Sequence, residues 1–174
     1  MPTHPSAMVY ALACVLTSAT HRLDRRVVDV VHVGDPRSEA AHGYEGHDVS
    51  AGTIEGKPFR QARGWMHFTL ATFDDTDVTI AATFVDVDSS TGDHSRSFDL
   101  VVEDSVIATR TVSAASAARV VMEIGVPFAV TKGKTNIVVI IRARGGLTPA
   151  LRELRTIQDH HEVNQSLNLF GVAR

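Results

Sequence analysis

The sequence predicts an all-β domain, an antiparallel β-sandwich of about seven or eight short strands with a short N-terminal helix ahead of it. Three observations carry this expectation. Val, Thr, Ile and Ala dominate the middle of the chain, and β-branched side chains favour a pleated, half-buried surface. Several runs alternate apolar and polar residues with period two. Turn-forming residues separate those runs, and no long amphipathic helix interrupts them.

Taken in order, residues 7–15 (AMVYALACV) are apolar, and Val9, Leu12, Ala13 and Leu16 share one helical face. Ser18 and Ala19 follow, so the segment also resembles the apolar core and cleavage site of a signal peptide, but no Lys or Arg precedes it. A short amphipathic helix is the favoured reading. It falls well short of the roughly 20 residues of a membrane span.

Residues 26–33 (RVVDVVHV) form a β-branched run that ends at Gly34, Asp35 and Pro36. Residues 37–64 are polar and glycine-containing, and predict a winding connection with at most short strands. From 65 to 71, Met66, Phe68 and Leu70 face one way while His67 and Thr69 face the other. Residues 73–77 predict a tight turn into a second alternating run, 78–87, with Val78, Ile80, Ala82 and Phe84 in phase. Phe98, Leu100 and Val102 mark the next strand, and Asp104-Ser105 turns it into 106–112 as a hairpin.

Residues 119–124 and 126–130 are strand material broken by Gly125 and Pro127, and 132–134 is a turn. Residues 136–144 are apolar on both faces at their centre, the mark of a central strand. Residues 152–157 close the sheet, although the Leu151/Leu154 spacing also allows a helical turn. The chain thus divides into an N-terminal helical or flexible segment (1–23), the sandwich (24–157) and a tail without clear period (158–174).

Composition narrows the function. A net charge of −3 with acids and bases interspersed offers no basic stripe for nucleic acid and no polybasic patch for anionic lipid. The single cysteine, Cys14, excludes an intramolecular disulfide and a thiolate-rich zinc site. A lone cysteine fits the reducing cytoplasm, with secretion as the alternative. No phosphate-binding glycine loop and no Gly-x-Ser-x-Gly nucleophile elbow occurs.

One stretch is specific enough to suggest a family. The string DRRVVDVVHVGDPRSEAAHGYEG from Asp24 fits Asp-x-Arg-x-Val-Asp-x-Val-x-x-Gly followed by Ser-Glu-x-x-His. The pattern continues through Gly52, Gly56, Arg60, Ala62, Gly64 and Trp65, then SFDLVVEDSVIATRTV at 97–112, Pro127 and the stretch 132–139. Together these resemble the C-terminal module of β-L-arabinofuranosidase-like glycoside hydrolases, family 127 and its relatives, over residues 24–156. The resemblance implies a jelly-roll, galactose-binding-like sandwich attached to a hydrolase whose chemistry resides in a separate helical barrel with a glutamate and a cysteine-rich zinc site. This chain has neither the length nor the cysteines for that barrel. Where many members of that family carry Tyr-Trp-Gly, it reads Phe84-Val85-Asp86.

The expectation is therefore a non-catalytic accessory module with weak carbohydrate binding, its partners arabinose-containing polysaccharide or a hydrolase catalytic domain. A ligand-free structural domain that self-associates through edge strands and the apolar segments 9–16 and 167–172 is the alternative. Arg60, Arg63, Trp65 and His67 form the candidate sugar site, because sugars are held by an aromatic face and planar donors. The plainer reading has Trp65 capping the core and Arg60 tying the long loop to backbone carbonyls. Asp86, Asp88 and Asp93 offer oxygen ligands for calcium, although Thr91 and Ser97 stand where an EF-hand needs Gly and Glu. No other cofactor is expected. Glu39, Glu45, Asp48, Asp99, Glu103 and Asp104 supply carboxylates without visible pairing, and Asp99 is expected on a solvated strand face. His42 and His47 are expected to make loop hydrogen bonds rather than bind metal.

Overall fold

The computed structural model describes residues 24–73, 76–85, 95–113 and 119–160. Among these described residues, nine strands and two short helices follow in order: β1 (Asp24–His32), α1 (Pro36–Ala41), β2 (Glu45–Ile54), β3 (Lys57–Ala71), β4 (Val78–Val85), β5 (Arg96–Val102), β6 (Ser105–Val112), β7 (Arg119–Val126), α2 (Phe128–Thr131), β8 (Asn136–Arg144) and β9 (Ala150–His160). The expected N-terminal helix and the tail beyond His160 lie outside the described residues.

The strands build the expected sandwich. One layer runs β6-β5-β8-β3-β2 and the other β7-β4-β9-β1, every pairing being antiparallel. The long strand β3 joins the layers at one corner, where Arg60 pairs with Leu151 of β9. Between the layers lie Met66, Phe68 and Leu70 of β3, Ile80 and Phe84 of β4, Phe98 and Leu100 of β5, Ile137 and Ile141 of β8, and Leu151 and Leu154 of β9. Phe84 and Phe98 meet across the gap with ring centroids 5.0 Å apart. Strand β8 is central, as its two apolar faces predict.

The expectations for the connections are corrected in four places. Residues 37–64 hold a helix and a ten-residue strand rather than a winding loop. Their period is hard to see because β2 is an edge strand, mostly exposed, with a register shift between His47 and Val49. The β2–β3 turn is Glu55-Gly56, with φ of 53° and 72°, the two-residue hairpin geometry that suits glycine at its second position. The tight turn expected at 73–77 would make β3 and β4 neighbours, but the two strands do not pair and lie in different layers, so the chain crosses between layers after β3. Buried Gln158 pins that crossing by accepting from the Phe73 amide (2.6 Å) and donating to the Phe73 carbonyl (2.9 Å).

The segment 126–130 ends β7 and begins the helical turn α2 at Pro127. Finally, the Leu151/Leu154 spacing is a bulge rather than a helix. Thr83 pairs with Glu153 and Phe84 with Leu151, so Arg152 is the extra residue and both leucines point inward.

Helix α1 is held by the string of residues that carries the sequence resemblance. Asp35 caps the helix by accepting from the amides of Arg37 (2.8 Å) and Ser38 (3.2 Å). The Ser38 hydroxyl oxygen accepts from the His32 amide (2.9 Å). His42 engages the Ser38 carbonyl through Nδ1 (2.6 Å) and Asp29 through Nε2 (3.1 Å). The other Asp29 oxygen accepts from the Ala71 amide at 2.7 Å.

Buried Glu39 accepts from the Gly34 amide (2.7 Å) and from the Arg60 fork at Nε (2.5 Å) and Nη2 (2.7 Å). Removing one partner of such a pair strands the other. Glu39→Ala should cost about 3 kcal/mol, a melting midpoint roughly 6–12 °C lower for a domain of this size. Urea unfolding within about 0.5 kcal/mol of wild type would show that the pair is dispensable.

Candidate functional site

The outer face of the five-stranded layer gathers side chains far apart in sequence. Gly64 makes the first juxtaposition. A Cβ there would stand 2.5 Å from the His47 carbonyl oxygen and 2.6 Å from its Nδ1, so glycine lets β2 close in. The His47 ring then lies beside Trp65, centroids 6.5 Å apart and planes 19° from parallel. Trp65 pairs with Arg142 on β8, Arg142 with Asp99 on β5, and Asp99 with Thr109 on β6. A row His47–Trp65–Arg142–Asp99–Thr109 therefore crosses five strands, turned away from the core that holds Met66, Ile141 and Leu100.

Asp99 organises this row. It is buried, not solvated as the alternation suggested, because three donors converge on it. The Thr109 hydroxyl donates to Oδ1 (2.6 Å), Arg142 to Oδ2 (3.0 Å) and Arg144 to Oδ1 (3.1 Å). The Thr109 hydrogen bond above all, then Arg142 and Arg144, hold the Asp99 carboxyl below the usual carboxylate range against the effect of burial. The two arginine side chains are 48% and 61% exposed, so their remaining N–H groups are presented to solvent.

Of the four predicted site residues, Arg63, Trp65 and His67 share the outer side of β3, with Arg63 exposed and the other two half-buried. His67 Nδ1 lies 3.2 Å from the Gly43 carbonyl. Arg60 lies on the opposite side of the strand. Its fork is taken by the Glu39 carboxylate, where backbone carbonyls were expected, and its guanidinium sits 4.9 Å from the centre of the Tyr44 ring. Tyr44 in turn packs on Phe68 with centroids 5.2 Å apart.

The sequence reading missed Arg142 and Arg144 as members of this face. The only signal was that these two residues end the period-two run of β8, and their neighbours follow from register alone. Asp86, Asp88 and Asp93, the candidate calcium loop, lie outside the described residues. Among the described residues, no three His, Cys, Asp or Glu side chains group to hold a metal ion.

Chemically, the face offers an indole edge and face beside two forked cations fixed by one carboxylate. That set can stack on C–H groups and donate to paired hydroxyls. Asp99 and Glu103 are poor general acids, which need raised pKa values. Burial pushes the Glu103 carboxyl up, but the Val138 amide and Lys134 outweigh it and hold it below its ordinary value.

For Asp99 the folded pKa lies below the unfolded one, so its stabilisation is complete above about pH 4. It is lost as pH falls through the folded value. Wild type should lose stability more steeply than Asp99→Asn between about pH 4 and pH 2, while at neutral pH the variant should be about 1–3 kcal/mol weaker. Equal slopes in urea unfolding across that range would contradict this role.

The same architecture occurs in solved structures at low identity. A family 35 carbohydrate-binding module from an environmental isolate matches with a TM-score of 0.52 and 16% identity, over 75% of this chain and 96% of that one. A family 35 module from Cellvibrio japonicus matches at 0.50 and 15%, over 75% and 94%. An exo-β-1,3-galactanase from Phanerochaete chrysosporium, solved with β-1,3-galactotriose, matches at 0.54 and 8%, over 75% of this chain but 29% of that enzyme. These likenesses establish the β-sandwich fold. No curated protein matches the chain in sequence. Residues 22–157 match the model of a family of unknown function, DUF6805, and the chain belongs to that family.

Proposed function

We propose that this chain is a non-catalytic accessory module that binds polysaccharide through the outer face of its five-stranded layer. The observation that carries the reading is the row across that face, in which half-buried Trp65 stands next to arginines fixed by buried Asp99. Preorganised planar donors beside an aromatic ring suit a sugar, whose C–H face is apolar and whose rim carries hydroxyl pairs. Trp65 would stack, and Arg142, Arg144 and Arg63 would donate to hydroxyls.

The fold neighbours support the same reading. Two are described as carbohydrate-binding modules, and the galactanase contains the matching region as less than a third of a larger hydrolase. The sequence resemblance to the C-terminal module of β-L-arabinofuranosidase-like hydrolases makes arabinose-containing polysaccharide the first ligand to try and a hydrolase catalytic domain the natural partner. The non-catalytic reading is supported by Asp99 and Glu103, whose carboxylates are committed to charge-assisted hydrogen bonds.

Isothermal titration of the purified chain against soluble arabinan, arabinogalactan and β-1,3-galactan tests the proposal. Saturable heat is expected with at least one of them, and Trp65→Ala should lower that affinity at least about tenfold, as loss of an aromatic anchor does. No heat with any of the three, or binding that Trp65→Ala leaves unchanged, would overturn it.

A further inference from the structure

A second site lies away from the Trp65 row, on the other layer. A cleft of about 440 Å³ opens beside the start of β9, its lining including Lys57, Arg119, Arg152 and Arg155 against Asp35 and Glu153. Four fixed cations face two acids, a local excess of two positive charges in a chain whose net charge is −3.

The two acids are already engaged. Asp35 caps α1. Glu153 has the Arg155 guanidinium 2.7 Å from Oε1 and His32 3.5 Å from Oε2. Even so, Glu153 Oε1 is buried without a directed hydrogen bond, and so are Nε of Arg152 and Nε of Arg155. The positive charge that the cleft offers a ligand is therefore carried by the outward guanidinium N–H groups of Arg155, whose side chain is 39% exposed, and by exposed Arg119 and Lys57.

The bulge in β9 explains the arrangement. Arg152 is the extra residue opposite the Thr83–Phe84 step, and the bulge re-aims it so that Nη2 donates to the Ile54 carbonyl at 2.9 Å, its side chain forming part of the cleft wall. Sheet pairing places Glu153 against Thr83 and Arg155 against Ala81. Buried Thr83 contributes the β4 part of the cleft wall.

We propose that this cleft binds an oxyanion, the carboxylate of an acidic sugar or a free sulfate or phosphate, through Arg152, Arg155, Arg119 and Lys57. Several acceptor oxygens on one small anion match the divergent guanidinium donors better than any single carbonyl does. This goes beyond the sugar-stacking face and does not depend on it.

Titration of the full chain at constant ionic strength with galacturonate, galactose, inorganic sulfate and inorganic phosphate, followed by amide resonances, tests the assignment. At least one of the three anions should give saturable shifts at β9 and α1, and neutral galactose none there. Galacturonate alone would identify an acidic glycan as the ligand, whereas sulfate or phosphate would identify the free ion. Arg119→Ala, an exposed position chosen to leave the fold intact, and Arg155→Ala should each weaken binding at least about tenfold, the loss of one charge-assisted hydrogen bond. Trp65→Ala should leave it unchanged, so failure here and failure of the sugar face are distinguishable. The proposal is overturned if no anion saturates the site, or if binding survives both arginine substitutions undiminished.

Discussion

The Glu39 carboxylate is the constraint on which the rest of this sandwich depends. It sits on a six-residue helix and joins three parts of the chain: the end of β1 through the Gly34 amide, its own helix, and β3 through the Arg60 fork. Arg60 is also the residue at which β3 pairs with Leu151, the corner joining the two layers. A bidentate pair at that point fixes how β3 passes between layers, and the Arg60–Tyr44–Phe68 stack carries the constraint into the core. Desolvating these charges is costly, so the pair serves geometry more than net stability.

Beyond the corner, β3 is a straightedge for the outer face. Once its register against β8 is set, Trp65 stands beside Arg142, and the β5–β8 register brings Asp99 under both arginines. The turn from β5 to β6 protects that register. Glu103 and Asp104 both adopt positive φ, 48° and 65°, which is unfavourable for residues with side chains. The Glu103 carboxylate offsets the strain by accepting from the Val138 amide at 2.8 Å and holding Lys134 at 3.0 Å, which ties the hairpin to β8. The candidate binding face is thus carried by paired strands rather than by loops, a rigid platform suited to a ligand that needs little adaptation.

Alternation in the sequence identified β4, β5 and β8 because each buries one face or both, and the core residues of β3 followed from the same period, whereas β1 was legible as a β-branched run and β6 as the second arm of a hairpin. It failed where tertiary context changes the period. Edge strand β2 buries little, and the β9 bulge imitates a helical spacing with Leu151 and Leu154. The site was half legible. Trp65 and its neighbours on β3 could be singled out as an aromatic among donors, but Asp99, Arg142 and Arg144 lie 34, 77 and 79 residues further along the chain and join them only through strand order. The residues that resemble a hydrolase-associated module, Asp29, Gly34, Ser38, Glu39, His42 and Arg60, turn out to hold α1 against β1 and β3. They specify the architecture, so such a pattern speaks to the fold more readily than to a ligand.

Trp65 is the sole tryptophan, so its indole N–H gives one assignable resonance. Following that resonance and the side-chain Nε–H signals of Arg142 and Arg144 during addition of an arabinan oligosaccharide addresses the central claim most directly. If the outer face is the binding surface, all three move together along one saturation curve. Shifts confined to other parts of the sandwich, with these three signals stationary at saturation, would contradict it.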